Sequence, residues 1–205
     1  MIELLLATRS AGKIREIREI TAGLDLRWHG LDDFPDVPDA PETGLTFLEN
    51  ATQKSLYYGR AANLPALADD SGLEVDALDG RPGVDSAYFA GHPRDDARNN
   101  ARLIELLRAV PAERRTARFR CVMVFSDGGR VIASSEGTIE GRIVDVPLGS
   151  NGFGYDPHFF VPSLGRTTAE LSPGEKNAVS HRGIALRAML ARIADWARPR
   201  MIPAT

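Results

Sequence analysis

The sequence predicts an α/β fold, a mixed α+β chain, on three observations. A short apolar run passes through a turn into a helical repeat near the N-terminus, stretches of alternation run through the middle, and an amphipathic helix closes the chain. The 205 residues are 43% hydrophobic and 26% charged, enough apolar material for one good core or two small lobes sharing a sheet. That composition excludes disordered and collagen-like chains. No apolar run approaches the ~20 residues of a membrane span, and no basic leader opens the chain, so a cytoplasmic protein with no membrane partner is expected. The single cysteine, Cys121, excludes an internal disulfide and a multi-cysteine zinc site, and His29, His92, His158 and His181 lack ligand spacing.

Residues 2–7 form the first apolar run, and Ala11, Ile14, Ile17 and Ile20 then recur at helical spacing, which reads as strand, turn, helix. Thr8 or Ser10 can cap this helix, which places Lys13 in its first turn. A cation there opposes the helix dipole, so either an anion binds or the side chain swings out to water. Residues 32–45, rich in Pro, Asp and Gly, form a surface loop. Thr46-Phe47-Leu48-Glu49 matches a capping box and opens a helix to about Ala62, with Asn50 and Lys54 on one face. Glu49 then either reaches back to the Thr46 N–H or faces a metal.

The apolar lead-in at residues 65–68 runs into Asp69-Asp70-Ser71-Gly72, read as a break between strands, and Leu73, Val75 and Ala77 alternate with acids beyond it. Asp-Asp-Ser-Gly suits a turn, yet two adjacent carboxylates near a core edge are costly unless a cation is shared. A helix is expected over residues 95–110, a hairpin around Asp127-Gly128-Gly129, and strand again over 137–146. Residues 149–157 interleave glycines with Phe153 and Tyr155, which suits either a flat ligand or an ordinary tight loop. The last helix, 181–196, follows Ser180 as its natural cap and carries His181 and Arg182 in its first turn. No internal repeat and no long linker divides the chain.

The formal net charge of −3 argues against a general nucleic-acid coat. The average hides a pattern: residues 32–49 carry Asp32, Asp33, Asp36, Asp39, Glu42 and Glu49 without a cation, whereas residues 94–120 carry eight Arg against four acids. Two solvated faces are the plain reading. The cations are 22 Arg and three Lys, so Lys13, Lys54 and Lys176 stand out as places where a compact ammonium suits a phosphate better than a guanidinium. Lys176, His181 and Arg182, together with Lys13, point toward a polyanionic ligand.

Several common motifs fail. Residues 7–14 end in Gly12-Lys13 but lack the leading Gly and the following Ser or Thr of a Walker A loop. Residues 15–20 resemble part of a Nudix box, without its upstream Gly and Glu. G-x-S-x-G, H-E-x-x-H and His-Asp pairs are absent, which leaves chemistry to carboxylates, metal and lysine.

Seven blocks nevertheless appear in series: Leu5-Leu6-Ala7-Thr8 through Lys13; residues 42–51 through Lys54; Ala68-Asp69-Asp70-Ser71-Gly72-Leu73; Gly152-Phe153-Gly154-Tyr155-Asp156-Pro157; Ala169-Glu170-Leu171; Glu175-Lys176; and Ser180-His181-Arg182-Gly183. On these blocks the sequence resembles the ITPase, or Ham1-like, family of inosine and xanthosine triphosphate pyrophosphatases, over nearly the whole chain. It departs from the family pattern at Ser10, usually Asn, and at Tyr88, usually Arg.

The resemblance implies a single ITPase-like domain over residues 1–205: two lobes, not independent domains, on a long mixed sheet with flanking helices and an active-site cleft between them. It implies hydrolysis of ITP, dITP and XTP to the monophosphate and pyrophosphate with magnesium (Mg2+), cleansing the nucleotide pool, in a homodimer without a nucleic-acid partner. The triphosphate would be held by Thr8, Arg9, Ser10, Ala11, Gly12 and Lys13, with Lys54 and Ser71. Asp70 would be the base, a metal ligand or both, with Glu42 and Glu49 as further metal contacts and Asp69 in support. Phe153 would stack on the purine, with Gly154, Tyr155, Asp156, Lys176, His181 and Arg182 around its edge. Two other readings are a pyrophosphatase for standard purine or pyrimidine nucleotides, and a non-hydrolytic nucleotide- or RNA-binding protein using residues 94–120.

Overall fold

Seven strands hydrogen-bond in the order β2-β1-β3-β4-β5-β6-β7 in the computed structural model, which describes residues 1–200. The strands are β1 (Ile2–Leu6), β2 (Leu26–His29), β3 (Ala66–Val75), β4 (Thr116–Asp127), β5 (Arg130–Ile143), β6 (Phe159–Val161) and β7 (Arg166–Thr167). Parallel pairing of β1 with β2 and β3, and antiparallel pairing of β5 with β6 and β6 with β7, make the sheet mixed. The helices are α1 (Ala11–Ile20), α2 (Phe47–Ala62), α3 (Asp96–Leu107), α4 (Pro173–Val179) and α5 (His181–Ala197).

The chain divides into two compact units. The first holds residues 1–70, 121–137 and the chain from 182 on; the second holds 71–120 and 138–181. Each division falls inside β3, β4 or β5, or at the start of α5, rather than in a linker. The first unit's core gathers Leu4, Leu6, Ile17, Leu67, Met123 and Phe125 with Ala185, Leu186, Met189 and Ile193, the apolar stripe expected of α5. A second cluster of Leu5, Ala7, Leu31, Tyr58, Ala66 and Ala68 lies in the same unit. The second unit's core joins Leu73, Val75, Leu103, Leu107, Phe119, Ile143, Tyr155 and Phe159.

Two expected breaks are absent. β3 runs without interruption through Asp69-Asp70-Ser71-Gly72, because cations from neighbouring elements neutralise the two carboxylates and allow them to stay in a buried strand. β5 likewise continues through Ser134-Ser135-Glu136, where the Ser135 hydroxyl donates to the Ala185 carbonyl. The hairpin between β4 and β5 turns on Gly128 and Gly129, both at positive φ, 55° and 76°. α4, β6 and β7 are too short to carry a periodic signal. Among the described residues no helix is long and apolar enough to cross a membrane.

Candidate active site

In the first unit, α1 and α2 bring cations to the two carboxylates of β3. Lys13 Nζ lies 2.9 Å from Asp69 Oδ2, so the cation expected to seek an anion at the start of α1 meets a carboxylate of the chain itself. Arg182, buried at the start of α5, places Nε 3.3 Å from the same oxygen and Nη1 2.5 Å from Glu16 Oε2. Cys121 Sγ lies 3.8 Å from Asp69 Oδ2, and burial pushes the thiol well above its usual range. Burial raises the pKa of Asp69, but Lys13, Arg182 and Lys54 outweigh it and hold the carboxyl well below the usual carboxylate range.

Asp70, the next residue, faces a different set. Its Oδ1 lies 2.8 Å from Lys54 Nζ, and its Oδ2 accepts from Asn50 Nδ2 at 3.3 Å. Here burial prevails over Lys54 and Lys13, and the carboxyl titrates above its ordinary value. Lys54, itself buried, keeps its proton to well above the usual lysine value: Asp70, Asp69 and Glu42 overcome the cost of its burial.

The acidic loop is laid onto the first turns of α2. Lys54 Nζ donates to Glu42 Oε2 at 2.9 Å, Gln53 Oε1 accepts from the Thr43 N–H, Asn50 Oδ1 accepts from the Gly44 N–H, and Glu49 Oε2 accepts from the Leu45 and Thr46 N–H groups. Successive loop residues therefore meet successive positions along one side of the helix. Gly44 is required by closeness, since a Cβ there would stand 2.6 Å from Glu49 Cβ and 2.8 Å from Asn50 Oδ1. Thr46 and Glu49 form the capping box read from the sequence.

Of the two candidate glutamates, Glu42 converges with Asp70 on one ammonium, and Glu49 serves the helix start. Glu42 and Asp70 together offer hard carboxylate oxygens at a point already occupied by a cation. That donor set fits magnesium, which binds through one or two carboxylates and completes its shell with water and substrate phosphate. Among the described residues no group of three or more His, Cys, Asp or Glu gathers as an all-protein metal site.

The start of α1 leaves backbone donors in place. Ser10 is its N-cap without a side-chain cap bond, no acid stands in the first turn, and Thr8 Oγ1 accepts from the Ser10 N–H at 3.2 Å. Ala11 and Gly12 are the first two residues of that helix. Arg9 instead reaches the acidic loop, through Asp39 Oδ1 at 2.8 Å and the Val37 carbonyl at 3.0 Å.

In the second unit, the 149–157 loop is built around Asp156. Its Oδ2 accepts from Lys176 Nζ at 2.5 Å and from the Phe153 N–H at 2.8 Å, and its Oδ1 from Thr168 Oγ1 at 2.8 Å. A Cβ on Gly152, at φ +78°, would fall 2.0 Å from that Oδ2. Lys176 Nζ lies 4.9 Å from the Phe153 ring centroid, in cation–π range. His181 stacks on Phe119 at 4.9 Å, and the buried Tyr155 hydroxyl donates to the Ser86 carbonyl. Ser71 belongs to this unit, one residue past Asp70.

The structure thus groups Thr8 to Lys13, Glu42, Lys54, Asp69, Asp70 and Arg182 in the first unit, and Ser71, Phe153 to Asp156, Lys176 and His181 in the second. Arg182 is held by Asp69 and Glu16, the paired carboxylates that a buried guanidinium needs. Glu16 and Asn50 were missed as members of the site. The signals in the sequence are the i, i+3 spacing of Lys13 to Glu16, the i, i+4 spacing of Asn50 to Lys54, and the place of Asn50 within the 42–51 block. In the Arg-rich 94–120 segment, four of the eight arginines lie in these ion pairs: Arg118 with Asp76 and Glu140, Arg120 with Glu74, Arg115 with Asp145, and Arg94 with Asp96. Tyr88, half exposed, stacks on His92 at 4.2 Å.

A family model described as the Ham1 family matches residues 4–192. The chain belongs to the Ham1 family. Among its Ham1 relatives, a dITP/XTP pyrophosphatase of Geobacillus kaustophilus is 50% identical over 186 residues, 91% of each chain. Another, a dITP/XTP pyrophosphatase of Geobacter sulfurreducens, is 50% identical over 196 residues, 96% of this chain and 98% of that one. In structure, the chain is similar to a HAM1 protein from Coxiella burnetii, with a TM-score of 0.86 at 41% identity, covering 95% of this chain and 100% of the other.

Proposed function

We propose that this protein hydrolyses the non-standard purine nucleoside triphosphates dITP, XTP and ITP to the monophosphate and pyrophosphate. The observation that carries this reading is the convergence of Glu42 and Asp70 on Lys54 beside the Lys13–Asp69 pair, in a chain of the Ham1 family whose half-identical relatives bear the name dITP/XTP pyrophosphatase.

In this reading the start of α1 takes the triphosphate: its unfilled N–H groups and the Lys13 ammonium bind phosphate oxygens, and Lys54 adds a second positive charge. Glu42 and Asp70 would hold magnesium, which would supply neutralisation of phosphate charge. Asp70 orients a water for in-line attack on the α-phosphorus and accepts the proton of that water, its carboxylate held in place by Lys54 and Asn50. Asp69 keeps the Lys13 ammonium in place against the opposing helix dipole. The bond between the α-phosphorus and the bridging oxygen breaks, and pyrophosphate leaves with that oxygen.

Purine recognition falls to the second unit. Phe153 offers the stacking face, and Lys176 and His181 offer donors that suit a 6-keto oxygen and meet the 6-amino group of adenine donor to donor. A site that leaves polar groups unpaired rejects a substrate by ~10⁴-fold or more. Cytoplasmic action on the nucleotide pool, in a homodimer, completes the proposal on the strength of the family resemblance.

Pyrophosphate release from dITP, XTP, ITP, GTP, ATP and dTTP, with and without magnesium, tests the proposal. Magnesium-dependent turnover of the first three, lost in Asp70→Asn, is the expected result. Preference for GTP, ATP or dTTP would refute the substrate assignment, and release from none of the six would refute the activity.

A further inference from the structure

α3 grips the loop that carries Phe153. Asp96 and Asn100 stand four residues apart, hence on one face of the helix. The Gly154 N–H donates to Asp96 Oδ2 at 2.9 Å, and the Gly154 carbonyl accepts from Asn100 Nδ2 at 2.9 Å. On the other side of the same loop, the Phe153 N–H donates to the Asp156 carboxylate at 2.8 Å, and its carbonyl accepts from the Asp156 N–H at 3.3 Å. Every backbone polar group of residues 153 and 154 is therefore bonded.

Half of those bonds come from a helix more than fifty residues earlier in the chain. Gly154 sits at φ +62° with nothing within 4 Å of an added Cβ, so it is glycine for its backbone angle and not for want of room. Asn100 Oδ1 is buried without a hydrogen-bond partner among the described residues, while its Nδ2 is committed to Gly154. An amide kept at that cost is there for the contact it makes. Arg94 holds the Asp96 carboxylate through both oxygens, at 3.1 and 3.3 Å.

We infer that Asp96 and Asn100 are positioning residues for purine binding: by clamping the Gly154 peptide from both sides they fix the plane of the Phe153 ring. The inference rests on the proposed role of Phe153 as the face on which the base stacks. Both side chains bond the Gly154 backbone, in the unit that does not hold Lys13, Lys54 or Asp70, so the clamp governs affinity for the base and leaves the chemical step alone.

The test compares wild type with Asn100→Ala, Asp96→Ala and Asp96→Asn, using XTP as substrate and inorganic tripolyphosphate, which has no base, as a competing inhibitor. In both alanine variants KM for XTP should rise about tenfold with kcat within about twofold, while Asp96→Asn, which keeps an acceptor oxygen, stays near wild type. The tripolyphosphate inhibition constant should not move. Equal KM values in wild type and both alanine variants would overturn the inference, and so would a parallel weakening of tripolyphosphate, the mark of general damage. If wild type hydrolyses no nucleotide, the proposed activity fails by itself. The clamp is then judged by calorimetric affinity for XTP, which should weaken about tenfold in the alanine variants; unchanged affinity, or no binding by wild type, would overturn it.

Discussion

Asp70 and Asp156 are both buried aspartates beside a lysine, one in each unit, and they are used in opposite ways. Asp156 gives its oxygens to Lys176, Phe153 and Thr168 and so holds a loop in shape. Asp70 meets Lys54 and Asn50 yet stays above its ordinary pKa, a carboxylate that burial keeps under-stabilised. The contrast with its neighbour is sharper still. Asp69 is neutralised at its Oδ2 by Lys13 and Arg182 and held far below its usual range, one residue away on the same strand. A carboxylate whose charge is neutralised by buried cations builds structure, whereas one whose charge burial still disfavours retains the capacity to bind a metal or accept a proton.

The largest effect is expected where the difference is greatest. Asp70→Asn should lower kcat for XTP by about 10³-fold, while far-UV circular dichroism stays that of wild type. Asp69→Asn should do the reverse in kind: it strands Lys13, leaves Arg182 with Glu16 alone and should cost about 3–5 kcal/mol in urea unfolding at pH 7. A folded-state pKa below the unfolded value means stability that is present above the ordinary aspartate pKa and lost as pH falls through the folded one. The gap between wild type and Asp69→Asn should therefore close toward strongly acid pH. A gap that is constant with pH would show that Asp69 acts by shape rather than charge.

Asp70 carries the opposite sign. In the metal-free protein its raised pKa places loss of the carboxylate at a higher pH than for an ordinary aspartate, so magnesium affinity should begin to fall above that value as pH is lowered, and this pH dependence should vanish in Asp70→Asn. In the second unit, Gly152→Ala would drive a methyl against the Asp156 carboxylate at a backbone angle that resists it. KM for XTP should rise about tenfold while kcat changes little. The smallest effects separate the two glutamates. Glu42→Gln should raise the magnesium concentration for half-maximal activity, whereas Glu49→Ala should leave it unchanged and cost only about 1 kcal/mol of stability through the lost capping box.

Local signals determined much of this protein in advance. The Thr46–Glu49 box, the apolar stripe of α5, the Asp127-Gly128-Gly129 turn and the strand-to-helix passage into α1 are all set by residues within a turn or two of each other, and each was legible as written. The candidate site was legible as residue types: lysines kept in a chain that otherwise favours arginine, and paired aspartates in an apolar setting. Tertiary structure alone decided their partners. Asp69 and Arg182 are separated by 113 residues, and only packing of the α5 start against β3 makes them a pair and allows Asp69-Asp70 to remain within a strand instead of breaking it. Sequence spacing reports which groups can share a helix face or a turn. Which buried charge meets which is a matter of desolvation and pairing energy, and that is set only once distant segments are packed together.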